Sequence, residues 1–221
     1  LKIEIRDTDP NTGKMVKVGD FIFDEFADEK INEFASEHST RLRVTLAEGV
    51  SSWQVYKALS EIKFLSGKLE NIPDEGTIAP ASYDFVIGMT KEALIKKMQE
   101  RQASILNEAW NARQPNLPIN TKQEALILAS IIEKETSLKT ERGKVSSVFV
   151  NRLLREIALQ TDASVVYGIT RGKKILGRGL RRSELKKDTP WNTYVNKGLP
   201  PSPIGNPGKA SIHAALNPDI T

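Results

Sequence analysis

The chain predicts an α+β fold, a small strand-turn-helix front followed by a mostly helical remainder, and three observations carry that reading. The segments KIEI, VGDFIF and RLRVTL alternate apolar and polar residues as half-buried strands do. From Thr90 onward the apolar residues instead recur at three and four places, the period of a helix packed on one face. Thr121 and Glu124 form T-x-x-E, in which each side chain satisfies a free backbone N–H at a helix start.

In chain order, the second and third strand segments are separated by the helix-like DEFADEKINEFASEH. After RLRVTL, Gly49 supplies a turn and Ser51 or Ser52 a cap for a helix carrying Trp53, Tyr56, Leu59 and Ile62 on related turns. Glycines and prolines recur through 66–90, which places a unit boundary there, between 1–72 and 73–221, with SYDFVIG as a short extended piece. A long amphipathic helix runs from Thr90 to about Arg113 on Leu94, Ile95, Met98, Ile105, Leu106 and Trp110, and QPNLPIN ends it. The capping box then opens a helix over 122–138. A third helix over about 141–157 stacks Val145, Val148, Phe149, Leu153 and Ile157. LQTDASVVYG begins irregularly, and the proline- and glycine-rich C-terminal stretch reads as ordered loops on a scaffold, without an internal repeat.

With 221 residues, 39% hydrophobic and 27% charged, the chain suits a globular protein with a sizeable core, and no apolar run approaches the ~20 residues of a membrane span. The opening LKIEIRDTDP reads as a strand rather than a signal peptide. The lack of cysteine excludes disulfides, thiol catalysis and cysteine-ligated zinc. His38 and His213 are too few for a histidine metal site, and no metal is expected. A net charge of +4 favours an anionic partner only mildly, because 32 basic residues face 28 acidic ones. The basic segment RGKKILGRGLRRSELKK lacks interleaved aromatics, helix-turn-helix spacing and zinc ligands, so nucleic acid is not an expected partner.

The stretch LILASIIEKETS, residues 126–137, poses the chemical question. Glu133 and Glu135 diverge by about 200° around a helix, so one cleft cannot hold both. Leu128, Ile131 and Ile132 lie seven, four and three residues before Glu135, which puts its stem on their apolar stripe and leaves Glu133 nearer the polar edge. A carboxylic acid on an apolar face resists ionisation, which suits a general acid that protonates a leaving glycosidic oxygen. Spacing alone favours the ordinary alternative, a solvated bridge from Glu135 to Lys139.

Motifs in series move that balance. EALILASIIEKETSLKTERGKVSSVFVNRL, LQTDASVVYG and TPWNTYVNKGLPPSPIGNPGKASIHAALNP together resemble the YceG-like family, bacterial membrane-anchored endolytic murein transglycosylases, in detail from about residue 75 onward. That family is similar to soluble lytic transglycosylases around a Glu-Ser/Thr pair near a helix end. The pair maps onto Glu135-Thr136 and implies Glu135 as the catalytic acid and then base. The implied reaction cleaves the β-1,4 bond between MurNAc and GlcNAc within glycan strands and leaves 1,6-anhydro-MurNAc, with one carboxyl group and no cofactor. The resemblance also implies Asn151, Gln160, Thr161, Asp162, Tyr167, Asn192, Thr193 and Tyr194 as substrate-binding cleft residues, since amides, hydroxyls and aromatic faces suit sugar rings.

The resemblance further implies a LysM-like glycan-binding subdomain over 1–72 and a lytic-transglycosylase-like catalytic domain over 73–221 that continues past this chain. GLPPSPIGNPG is expected to build a rigid cleft wall. The implied partners are peptidoglycan glycan strands and peptidoglycan synthases, with nascent strand length as the property controlled. The full-length parent is implied to be a single-pass inner-membrane protein with its catalytic part in the periplasm, this part being soluble. The chain departs from the family pattern at Ala163, where proline follows QTD, at Trp191, where tyrosine precedes NTY, and at PASY, where PDTY is common. One rival reading is a non-catalytic wall-binding or scaffold protein with a structural Glu135. Another is aminodeoxychorismate lyase, a label some members have inherited. That enzyme needs pyridoxal phosphate on a lysine, and no lysine here has a recognisable cofactor setting.

Overall fold

The computed structural model describes residues 2–8, 15–21 and 41–219. Strands β1 (Lys2–Thr8), β2 (Met15–Phe21), β3 (Arg41–Thr45) and β4 (Ser82–Val86) form one antiparallel sheet in the order β2-β1-β3-β4. β2 begins at Met15 rather than at Val18, and the helix-like 24–38 lies outside the described residues. In the β3–β4 register Leu42 pairs with Phe85 and Val44 with Tyr83, and all four are buried. On the other face Arg43 grips the Asp84 carboxylate with two nitrogens, at 2.5 and 2.8 Å. This is the period-two alternation read in RLRVTL.

The helix α1 (Ser52–Glu61) follows a turn at Gly49. Ser51 caps it: its Oγ accepts from Gln54 N, and the Gln54 side chain accepts from Ser51 N. Val55, Leu59 and Ile62 join the strand residues in one apolar cluster. Next come α2 (Lys91–Asn111), α3 (Lys122–Glu135), α4 (Arg142–Leu154), α5 (Asp162–Thr170), the single turn α6 (Arg182–Leu185) and α7 (Lys209–Leu216). At ~1.5 Å per residue α2 is about 30 Å long and serves two clusters. Leu94 and Met98 belong to the sheet's cluster, Leu106 and Ala109 to the helical one. Between them, buried Gln102 donates from Nε2 to Gly76 O and Pro207 O, both at 3.0 Å.

Around α3 pack α2, α4, α5 and α7. Every residue of α3 from Ala125 to Ile132 is buried, as expected of a helix enclosed on all sides. Its capping box forms as read, with Thr121 Oγ1 accepting from Glu124 N and the Glu124 carboxylate from Thr121 N, each at 3.1 Å. It stops at Glu135 rather than at 138, because Thr136 adopts an extended backbone. α4 likewise stops at Leu154, and Val148 and Ile157, expected in its packed stripe, are exposed at 52% and 46%. α7 replaces expected loop: Ile212, Ala215 and Leu216 are buried in the same cluster as α3.

The proline-rich stretch before α7 is fastened to the front by buried Asn206. Its Oδ1 accepts from Ile78 N and its Nδ2 donates to Val50 O, both at 3.0 Å. Gly205 passes so close to the α1 turn that a Cβ there would lie 2.8 Å from the Gly49 carbonyl oxygen. No helix among the described residues is long and apolar enough to cross a membrane.

Candidate active site

Because α3 stops at Glu135, that side chain stands exposed at the helix end rather than on the apolar stripe. This corrects the expectation from the helical wheel: with α3 buried on every side, no single stripe marks the inward face, and the last residue escapes the core. Glu135 Oε2 accepts from Thr161 Oγ1 at 3.0 Å, and Oε1 has no hydrogen-bond partner among the described residues. No ion pair among them joins Glu135 to Lys139. Thr136 turns the chain away, with its Oγ1 accepting from Leu138 N at 3.1 Å and donating to Glu141 at 3.2 Å.

Thr161 sits just before α5, buried except toward Glu135, and Thr193 holds it there. Thr161 N donates to Thr193 Oγ1 at 3.1 Å, Gln160 N donates to Thr193 O at 3.0 Å, and Ser164 Oγ lies 2.8 Å from Thr193 Oγ1. Gln160 takes a left-handed backbone, φ 55°, a conformation that costs a non-glycine residue about 1 kcal/mol, and it is exposed. Asp162 Oδ1 accepts from Tyr194 Oη at 2.7 Å. That bond, with burial and the Asp162 and Glu135 charges, pushes the Tyr194 hydroxyl up to about 12, against the opposing charge of Arg152. Arg152 is itself anchored on Leu159 O at 2.6 Å. Asn151 is half-buried on the last turn of α4.

Asn192 and Thr193 were expected to meet sugar, but they are 0% and 1% exposed. Asn192 Nδ2 donates to Leu185 O and Lys187 O, and its Oδ1 accepts from Tyr194 N. Both residues frame the loop from beneath, because a buried amide must spend its hydrogen bonds on the backbone around it. Tyr167 lies farther along α5, away from Glu135. Its Oη donates to Glu75 Oε2 at 3.0 Å, and its ring centre is 5.8 Å from that of Trp191.

Glu133, expected at the polar edge, is the buried acid of the pair, with its side chain 4% exposed. Its Oε1 accepts from Arg142 Nη2 at 2.7 Å and its Oε2 from Gly208 N at 2.9 Å, while Arg142 also reaches Glu48 at 3.0 Å. Three distant segments therefore meet on Glu133: the α1 turn, the start of α4 and the start of α7. Glu75 is a second acid that spacing did not mark. Its Oε1 accepts from Ser52 N at 2.7 Å, and burial pushes its carboxyl above the usual range against the pull of those hydrogen bonds and of Lys134. Burial lowers Lys134 in turn, against the charges of Glu75 and Glu133. No signal in the chain could have paired residues so far apart in sequence. Among the described residues no three His, Asp or Glu gather as a metal ion requires.

These features define a mixed α+β, mostly helical protein that presents one exposed carboxyl at a helix end beside a hydroxyl-rich loop. The chain belongs to the YceG-like family, whose sequence profile matches residues 4–221. Over 150 residues it is 37% identical to an endolytic murein transglycosylase of Bacillus subtilis, covering 67% of this chain and 40% of that protein. Over 149 residues it is 32% identical to the endolytic murein transglycosylase of Streptococcus pneumoniae strain D39, covering 65% and 26%. The chain thus spans less than half the length of these curated relatives. Its fold is similar to the crystal structure of a yceG-like protein from Listeria monocytogenes, with a TM-score of 0.65 at 24% identity over 91% of this chain and 75% of that one.

Proposed function

We propose that this chain is the glycan-cleaving part of an endolytic peptidoglycan lytic transglycosylase, with Glu135 as its acid and base. The observation that carries the reading is the state of that exposed carboxyl: one oxygen accepts from Thr161 and the other has no partner among the described residues, within reach of the Tyr194 that bonds Asp162. The names of the relatives supply the substrate. In the proposed reaction Glu135 gives its proton to the glycosidic oxygen as that oxygen leaves C1 of MurNAc with the GlcNAc. The C6 hydroxyl of the same MurNAc then bonds to C1 and returns its proton to Glu135. No water is consumed, so the new end is the 1,6-anhydro sugar. Thr161 hydrogen-bonds the carboxyl, and Thr193 in turn holds Thr161.

The same reading takes residues 1–72 as a LysM-like glycan-binding unit and 73–221 as the catalytic unit. β4 and the first half of α2 complete the front core, so the two are parts of one framework. It also takes the parent as a single-pass inner-membrane protein acting in the periplasm, near peptidoglycan synthases, to limit nascent strand length. Digestion of purified glycan strands with mass analysis of the ends tests the chemistry. Anhydro-MurNAc ends, one water lighter than hydrolysed ones, are expected. Reducing MurNAc ends alone would make the enzyme a muramidase and overturn the transglycosylase reading.

A further inference from the structure

A cavity of about 650 Å³ opens between the first turn of α1 and residues 72–77 on one side and the C-terminal end of α5 on the other. A smaller hollow of about 250 Å³ shares Tyr167 with it and continues past Ala163 and Lys134, the sequence neighbours of Asp162 and Glu135. An extended ligand seated at Glu135 and lying along α5, about 13 Å of helix, would therefore reach the larger cavity.

Arg171 stands out on that cavity's wall. It ends α5 in a left-handed backbone, φ 54°, where glycine is the ordinary residue. The guanidinium carbon lies 3.6 Å from the Trp191 ring centre and 5.8 Å from that of Tyr167. Stacking fixes the group without using its N–H donors, which have no acceptor among the described residues. Lys173 adds a second cation on the same wall, and the next residue back, Gly172, is fastened to the front by a bond from Ser51 Oγ to its carbonyl. Trp53 lines the cavity across the gap, with Lys57 Nζ over one side of its ring at 5.6 Å from the centre, and Asp74 stands at the rim. Glu75, although in the wall, has both oxygens engaged by Ser52 and Tyr167 and repels an anion less than an open carboxylate would.

We propose that this cavity is a second subsite for the glycan strand, one that takes a sugar bearing a short acidic peptide, with the ring on Trp53 and the peptide carboxylate on Arg171 and Lys173. Asp74 suits the ammonium group of the same peptide. This rests on the peptidoglycan reading above and adds to it a preference for strands that carry their peptides.

Binding to Glu135→Gln protein, which does not consume the ligand, tests this. Two probes are compared at low salt: purified glycan strands with stem peptides, and the same strands stripped by an amidase. Peptide-bearing strands are expected to bind about ten-fold tighter, the scale of one charge-assisted hydrogen bond. The difference should shrink with added salt. Adding Arg171→Gly should abolish the difference while the protein still folds, since glycine accepts φ 54° without strain. Lys173→Ala, made separately, should halve or further reduce it. Equal affinity for the two strands, or an undiminished preference in Arg171→Gly, overturns the subsite and leaves the peptidoglycan reading standing. Binding of neither strand overturns both readings.

Discussion

Glu133 and Glu135 share a residue type and one helix, yet Glu133 is sealed between Arg142 and Gly208 N while Glu135 ends the helix in solvent with one oxygen unpartnered among the described residues. The first arrangement spends both carboxylate oxygens on joining distant segments, and the second leaves one for chemistry. A charge that ties the α1 turn, α4 and α7 together is a joint; a charge with an open oxygen beside a positioned hydroxyl is equipped to exchange a proton. Identical side chains acquire these roles from what long-range packing brings to them.

The largest effect on stability is expected at the joint. Arg142→Ala leaves buried Glu133 without its counter-charge and should cost about 3–5 kcal/mol in denaturant unfolding. A loss below about 1 kcal/mol would break the contrast between joint and open acid. Tyr194 should give a smaller effect, visible in its pH dependence. Its hydroxyl is raised from 10.0 to about 12, so the folded state favours the neutral phenol. The resulting stabilisation is complete below about pH 10 and is lost as pH rises toward 12, because the unfolded chain releases that proton first. Tyr194→Phe should flatten this alkaline slope and cost at most about 1 kcal/mol at neutral pH, the bond being exposed. An unchanged slope would show that the Asp162 bond does not hold Tyr194.

Local signals in the chain were reliable guides. The Thr121 and Glu124 capping box, the alternation of RLRVTL and the long amphipathic helix after Thr90 all arise from contacts within a few residues, and each forms. Features set by distant contacts were not legible. Periodicity located α3 but assigned Glu135 to the core stripe and Glu133 to the edge, since the wheel cannot register that α7 and the α1 turn close over Glu133. Residues 66–90 read as a connection because of their glycines and prolines, although Glu75 there binds the first turn of α1 and Tyr167. α7 was hidden by the prolines before it. Motif resemblance pointed to Glu135 and Thr161, which do meet, but could not separate a residue open to a ligand, such as Gln160, from one that frames the loop, such as Asn192.

The smallest effect on stability is expected at Glu135. An acid on an apolar stripe would gain from conversion to the amide, whereas an exposed one should shift unfolding by no more than about 0.5 kcal/mol. The decisive measurement is therefore the rate of glycan-strand cleavage by Glu135→Gln and by Glu133→Gln, taken side by side at a temperature where circular dichroism finds both folded. Glu135→Gln should lose about a hundred-fold to ten-thousand-fold, since the amide can neither give nor take the proton. Glu133→Gln, once folded, should stay within about ten-fold of the parent, its cost appearing as a lower melting temperature. Loss of cleavage in folded Glu133→Gln with activity retained in Glu135→Gln would contradict the account.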